Sequence, residues 1–364
     1  MEVEKKKREH IENIVFGILL LGFIGFVYIL NITYLEQGYK VVLKQVFYFS
    51  SAIILFFCVL SIPTGFLKVI VQNFHILFFV NLLLLIAGYL TPLGAKINNA
   101  MRWIRLGPLY FQSSEFLKYT TILFLLWIYQ CSTLNLTSKT VLSICSIICS
   151  ALLVGLAPDI GTMAQIMVVS FVILITLFPA NKRVMVPLTI IFLISTLGFC
   201  IYKFSHVARR LEAFKDPTKD LLGRNYQPYQ LKLSVYGSYL FGVGFGNSIQ
   251  KLKYLPNSYN DFICAIIIEE SGLLGLFMIL FIFFYIFSNL LAYTRLCSNN
   301  ITKTIFLTFL LYNFLNVVVN ICVCLGIFPV KGITLPFISP GGSFILSNLL
   351  FLGLAIRVEK YEFS

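Results

Sequence analysis

The chain has 364 residues, of which 59% are hydrophobic and only 12% charged. Soluble domains carry about 25% charged residues, so this composition, with its apolar residues in long blocks, excludes an ordinary soluble protein. The net charge is +13, from 28 Lys and Arg against 15 Asp and Glu, which points toward anionic lipid headgroups or an anionic ligand.

Residues 1–13 are polar, carry Lys5, Lys6, Lys7 and Arg8, and form a cytoplasmic N-terminal segment. The apolar run that follows, from Ile14 to about Leu35, is too long for a signal-peptide core and has no small-residue cleavage site, so it is the first span. Further spans are expected near 47–67, 74–93, 115–131, 140–156, 163–179 and 184–203, then at 262–291, 304–328 and 341–356. The expected fold is therefore an all-α polytopic membrane protein. It has about ten transmembrane helices in a membrane domain over 14–356. One long extracytoplasmic loop, 204–261, lies between spans 7 and 8, and a cytoplasmic tail covers 357–364.

An even number of spans leaves both termini on the same side. Short loops on the expected cytoplasmic side hold twelve Lys and Arg, against six in the short outer loops, as positive-inside charge bias requires. Nine more lie between Lys203 and Lys253, at the edge of the long loop or within it, where that bias is weak. They fit a negatively charged ligand at the outer face or contact with anionic headgroups. The nine Cys read mostly as small buried hydrophobes, and the three His are too scattered for a metal cage. No nucleotide-binding GxxxxGK[ST] loop and no nucleic-acid signature occurs.

Ionisable groups within spans are costly and mark candidate sites. Here they are Glu115, Lys118, Asp159, Asp261, Glu269 and Glu270. The first four fall at the outer ends of their spans, which describes a site open to one surface, not a relay across the membrane. Glu115 and Lys118 stand three residues apart on one helix face and are expected to pair. Asp159, between Pro158 and Gly161, reads equally as a cap and as a site residue. Glu269 and Glu270 read as braces. Asp261 opens a span directly after the basic loop, where a helix N-terminus favours its carboxylate. Capping is one role for it; general base is the other.

Five ordered stretches carry a resemblance. They are Asn99–Gly107 (NAMRWIRLG) continuing to Gln112–Glu115 and Lys118; Pro158–Thr162 (PDIGT); Phe214–Pro217 (FKDP) with Tyr226 and Gln227; Gly244–Ser248, Gln250, Lys251, Tyr254–Pro256, Asp261, Phe262 and Glu269–Gly272; and Lys331–Gly332 with Leu335–Ser339 and Gly341–Ser343. Together they resemble the SEDS family of bacterial cell-wall proteins, and Lys331–Gly332 is closer to the family's division member than to its elongation member. The sequence departs from the family at Asn257–Asn260, Ser113, Pro340 and Phe344.

The resemblance implies a glycosyltransferase that polymerises lipid II into peptidoglycan glycan strands at the outer face of the bacterial cytoplasmic membrane. Asp261 falls on the family's catalytic aspartate and is the expected general base. Expected substrate-binding residues are Arg102, Trp103, Arg105, Glu115, Lys118, Asp159, Arg209, Arg210, Gln250, Lys251, Tyr254, Lys331, Ser339 and Ser343. Undecaprenyl pyrophosphate would be the leaving group. No cofactor is certain, and a divalent metal, Mg or Mn, is an option for bridging phosphate oxygens. Expected partners are lipid II and the nascent glycan strand, a class B penicillin-binding protein acting as transpeptidase, and other divisome membrane proteins at the septum. The alternatives are an elongation polymerase, a lipid II flippase and a non-catalytic divisome scaffold.

Overall fold

The computed structural model describes residues 2–92, 94–97, 100–107, 109–179 and 225–361, with a few isolated positions between 186 and 223. Its helices are α1 (Glu2–Gln37), α2 (Lys40–Leu60), α3 (Thr64–Gln72), α4 (Phe74–Leu90), α5 (Ser113–Gln130), α6 (Leu136–Leu156), α7 (Ile160–Leu177), α8 (Tyr226–Tyr236), α9 (Ile263–Leu296), α10 (Asn300–Cys324) and α11 (Gly342–Tyr361). Strands β1 (Gly94–Ile97), β2 (Ala100–Leu106) and β3 (Leu109–Gln112) lie between α4 and α5.

Among the described residues, seven helices are long and apolar enough to cross a membrane: α1, α2, α6, α7, α9, α10 and α11. The pair α3 and α4, bent by 65°, makes an eighth if it is one span. Each expected span has a helix within a few residues, except 184–203, which lies outside the described residues, as does most of 204–224. α5 covers the expected span 115–131 but carries Glu115 and Lys118 near its start.

Two features differ from a purely helical expectation. The stretch 94–112 forms a three-stranded antiparallel sheet in the order β1-β2-β3. Gly107, at φ 63°, makes the left-handed turn between β2 and β3, and Trp103 pairs with Gln112 and Arg105 with Tyr110. The long loop is also structured at its end, with α8 and a single π-helical turn at Gln250–Tyr254. α1 runs past its apolar part into the polar 2–13 stretch, where Glu2–Lys6 and Arg8–Glu12 pair one turn apart.

The chain divides into two compact units, Met1–Ser51 with Cys200–Leu296 and Asn313–Gly341, and Ala52–Phe199 with Cys297–Tyr312 and Gly342–Ser364. In the first, α1 and α8 pack on α9. Close approach is built into α1: a β-carbon on Gly17 would meet Ile286, one on Gly22 the Phe49 ring, and one on Gly25 the Ile338 backbone. Small residues at such crossings let membrane helices touch backbone to backbone. α9 breaks at Gly272 (φ 66°, ψ −161°), where a β-carbon would lie 2.3 Å from the Leu240 carbonyl oxygen. In the second unit α5 is central, contacting α4, α6, α7 and α11, while β2 lies on α4 and β3 on α11.

Candidate functional site

Asp261 ends a tight loop and directly precedes α9. Its side chain is half-buried, and Gly332 beside it is exposed. A β-carbon on Gly332 would stand 2.5 Å from Asp261 Oδ2, so the carboxylate rests against that bare backbone. Asn320 of α10 fixes both strands of this contact: its Nδ2 donates to the carbonyls of Asp261 (2.9 Å) and Ile333 (2.6 Å). Ser339 Oγ donates to the Asn260 carbonyl (2.8 Å) and accepts from Leu335 N (2.9 Å). The site residues Asp261, Lys331 and Ser339 are thus assembled from the start of α9 and the loop after α10.

Arg210 feels the charge of Asp261. Desolvation lowers the guanidinium pKa, and the charge of Asp261 acts against that shift. Tyr254 is exposed. Arg209 lies outside the described residues, as does the side chain of Arg102 on β2.

On α9, which begins two residues after Asp261, Glu269 and Glu270 are buried. Glu269 Oε1 accepts from Ile249 N (3.0 Å) and Gln250 N (3.4 Å), and Oε2 from Ser248 Oγ (2.5 Å). Their backbone carbonyls accept from Val243 N (2.9 Å) and Gly244 N (3.0 Å). Glu270 takes Ser248 N (3.3 Å), Asn31 Nδ2 (2.6 Å) and Lys251 Nζ (3.2 Å). The bracing expected of the two glutamates is directed at the Gly-rich loop. Gln250 is buried within it.

The remaining expected residues belong to the second unit. Gln112 N donates to Ser343 Oγ (2.9 Å), Gln112 Nε2 to Ser114 Oγ (3.0 Å), and Ser114 Oγ to Asp159 Oδ2 (3.2 Å). Asp159 also caps α7, accepting from Thr162 N. Asp159 is thus a cap tied to a buried polar chain. Lys118, 1% exposed, pairs with Glu115 Oε2 at 2.6 Å, and its ammonium lies 4.7 Å from the Phe344 ring centre and 5.5 Å from that of Tyr312. Trp103 is half-buried on β2 and Arg105 is exposed.

Asn320 and Asn31 were not singled out from sequence, and Gly332 and Ser248 stood only within the stretches that carry the resemblance, with no role assigned to either. Asn320 and Asn31 carried a signal, since each is a polar residue inside an apolar span. For Gly332 the motif gave no hint of its contact with Asp261. Among the described residues no three His, Cys, Asp or Glu are grouped to hold a metal ion.

The chain matches the FtsW/RodA/SpoVE family, described as cell cycle protein, over residues 11–363. A Coxiella burnetii relative named "Probable peptidoglycan glycosyltransferase FtsW" is 33% identical across 79% of this chain and 78% of its own. One of the same name from Buchnera aphidicola subsp. Schizaphis graminum is 30% identical over 87% and 89%. Two solved structures share the fold. One is a chain from work on coordination of polymerization and crosslinking by a peptidoglycan synthase complex (TM-score 0.76, 23% identity, 95% of this chain and 96% of that one). The other is Thermus thermophilus rod shape determining protein RodA (TM-score 0.69, 22% identity, 96% and 97%).

Proposed function

Because the chain belongs to the FtsW/RodA/SpoVE family, we propose that it is a multi-pass membrane peptidoglycan glycosyltransferase that polymerises lipid II during cell division. The reaction takes place at the outer face of the bacterial cytoplasmic membrane, with both termini cytoplasmic and the protein at the septum. The excess of short-loop positive charge on the side of the termini supports that orientation. A class B penicillin-binding protein is the partner, in keeping with the likeness to a chain of a peptidoglycan synthase complex. Other divisome membrane proteins complete the assembly.

The observation that carries the reading is the half-buried Asp261 carboxylate lying on exposed Gly332. Asp261 takes the proton from the acceptor sugar's 4-hydroxyl. The hydroxyl oxygen bonds to C1 of the donor sugar as the C1–O bond to pyrophosphate breaks. That electron pair leaves with undecaprenyl pyrophosphate, and C1 inverts. One carboxylate is enough, since no covalent enzyme intermediate forms.

Cations near the leaving group lower the barrier by stabilising its growing charge. Arg210, within electrostatic reach of Asp261, and Lys331, next to Gly332, are assigned that work, with Arg209 as a further phosphate contact. Tyr254 lines the sugar or lipid groove. A divalent ion bound with the substrate would add positive charge there, and no step above depends on one. The test is glycan-strand synthesis from purified lipid II by the protein with its transpeptidase, wild type against Asp261→Ala. Strand synthesis by the variant at the wild-type rate would remove Asp261 from the mechanism.

A further inference from the structure

Lys251 is a basic residue close in sequence to the reactive aspartate, which makes it an obvious candidate for a phosphate ligand. Its geometry assigns it other work. The ammonium has three protons, and all three are taken: by Asn31 Oδ1 (2.7 Å), the Gly246 carbonyl (2.5 Å) and Glu270 Oε1 (3.2 Å). The side chain is 8% exposed and that of Glu270 0%. Asn31 closes the ring, accepting from Lys251 and donating to Glu270 Oε2 at 2.6 Å.

Desolvating an ion pair costs about as much as the pair returns, so a buried pair is weak evidence for stability. What this one does is fix a geometry. Glu270 lies nine residues beyond Asp261 on the chain, roughly 12–14 Å along the helix. Segment 248–251 is therefore tied to the third turn of α9, while the other end of its loop runs into Asp261 at the head of the same helix. Where 248–251 is held decides how Leu252–Asn260 arches over to the carboxylate. We propose that Lys251, Glu270 and Asn31 are positioning residues for Asp261: a buried three-membered clamp, joining α1, the loop and α9, that sets the aspartate's approach to the acceptor sugar. The proposal rests on the reading of Asp261 given above.

The test measures kcat for strand synthesis and KM for lipid II, using the full-length protein with its transpeptidase. Lys251→Met should lower kcat at least tenfold with KM within threefold of wild type. Adding Glu270→Gln removes the stranded carboxylate and should return at least fivefold of that loss. Asn31→Ala leaves the ion pair in place and should lower kcat at least fivefold, also without moving KM; it carries the test if the Lys251 variant does not fold. A direct phosphate ligand behaves differently. A tenfold rise in KM with kcat preserved, or no recovery in a folded double variant, would overturn the clamp, as would an unchanged kcat in Asn31→Ala. Asp261→Asn serves as the separate control. If it stays active, the base assignment fails whatever the clamp variants do; if it is dead and the clamp variants are normal, only the clamp fails.

Discussion

The carboxylate of Asp261 rests on the Cα of Gly332, at the 2.5 Å separation that a β-carbon would be forced to share with Oδ2. The backbone of Gly332 is not in the left-handed region, so only space, not conformation, demands glycine there. Gly332→Ala should therefore fold normally and push the carboxylate aside. Displacement of about 1 Å can cost about a hundredfold in rate. Strand synthesis should fall at least tenfold while the melting temperature in detergent stays within about 2 °C, since a surface change of this kind moves stability by about 0.5 kcal/mol or less. Wild-type activity in Gly332→Ala would show that the carboxylate's place is not critical.

Asp261→Asn keeps the size of the side chain and removes the base. A general base contributes about 10²–10⁴ in rate. Polymerisation of purified lipid II should drop by that range, with the size-exclusion profile and melting curve unchanged.

Asn320 holds the Asp261 loop and the Ile333 loop together through one amide nitrogen. In Asn320→Leu both carbonyls lose their donor in a buried setting. Leaving a buried polar group unsatisfied costs about 1–3 kcal/mol. Thermal unfolding should come earlier in this variant, and strand synthesis should fall as well because Asp261 and Gly332 lose register. A variant as stable as wild type would mean that the carbonyls find other donors.

Lys118 and Glu115 form a nearly dry ion pair against aromatic rings. Removing one partner of such a pair costs about 3–5 kcal/mol, and replacing both costs far less. Lys118→Met should therefore be strongly destabilised, and Lys118→Met with Glu115→Gln should recover most of the loss. Equal melting temperatures for the two would place the pair's worth outside stability.

The sequence by itself determined everything in this protein that depends on near neighbours. Long apolar runs had to become membrane helices, because hydrocarbon leaves a backbone no other way to satisfy its hydrogen bonds except a closed barrel. Glu115 and Lys118, three apart on a helix, were placed to meet, and Asp159, which read equally as a cap and as a site residue, does cap the helix it precedes. Asp261 stood out because a charge at membrane depth is expensive. The tertiary structure decided who meets whom across the chain. Alternation in 94–112 is too weak to announce a sheet, which formed because β2 could lie on α4 and β3 on α11. Gly332 became informative only when folding laid Asp261 on it. Lys251, expected from the resemblance to bind substrate, donates to Asn31, Gly246 and Glu270. A residue's local conformation follows from its own chemistry and that of the next few residues, but the partner of a buried charge is fixed only when distant helices pack.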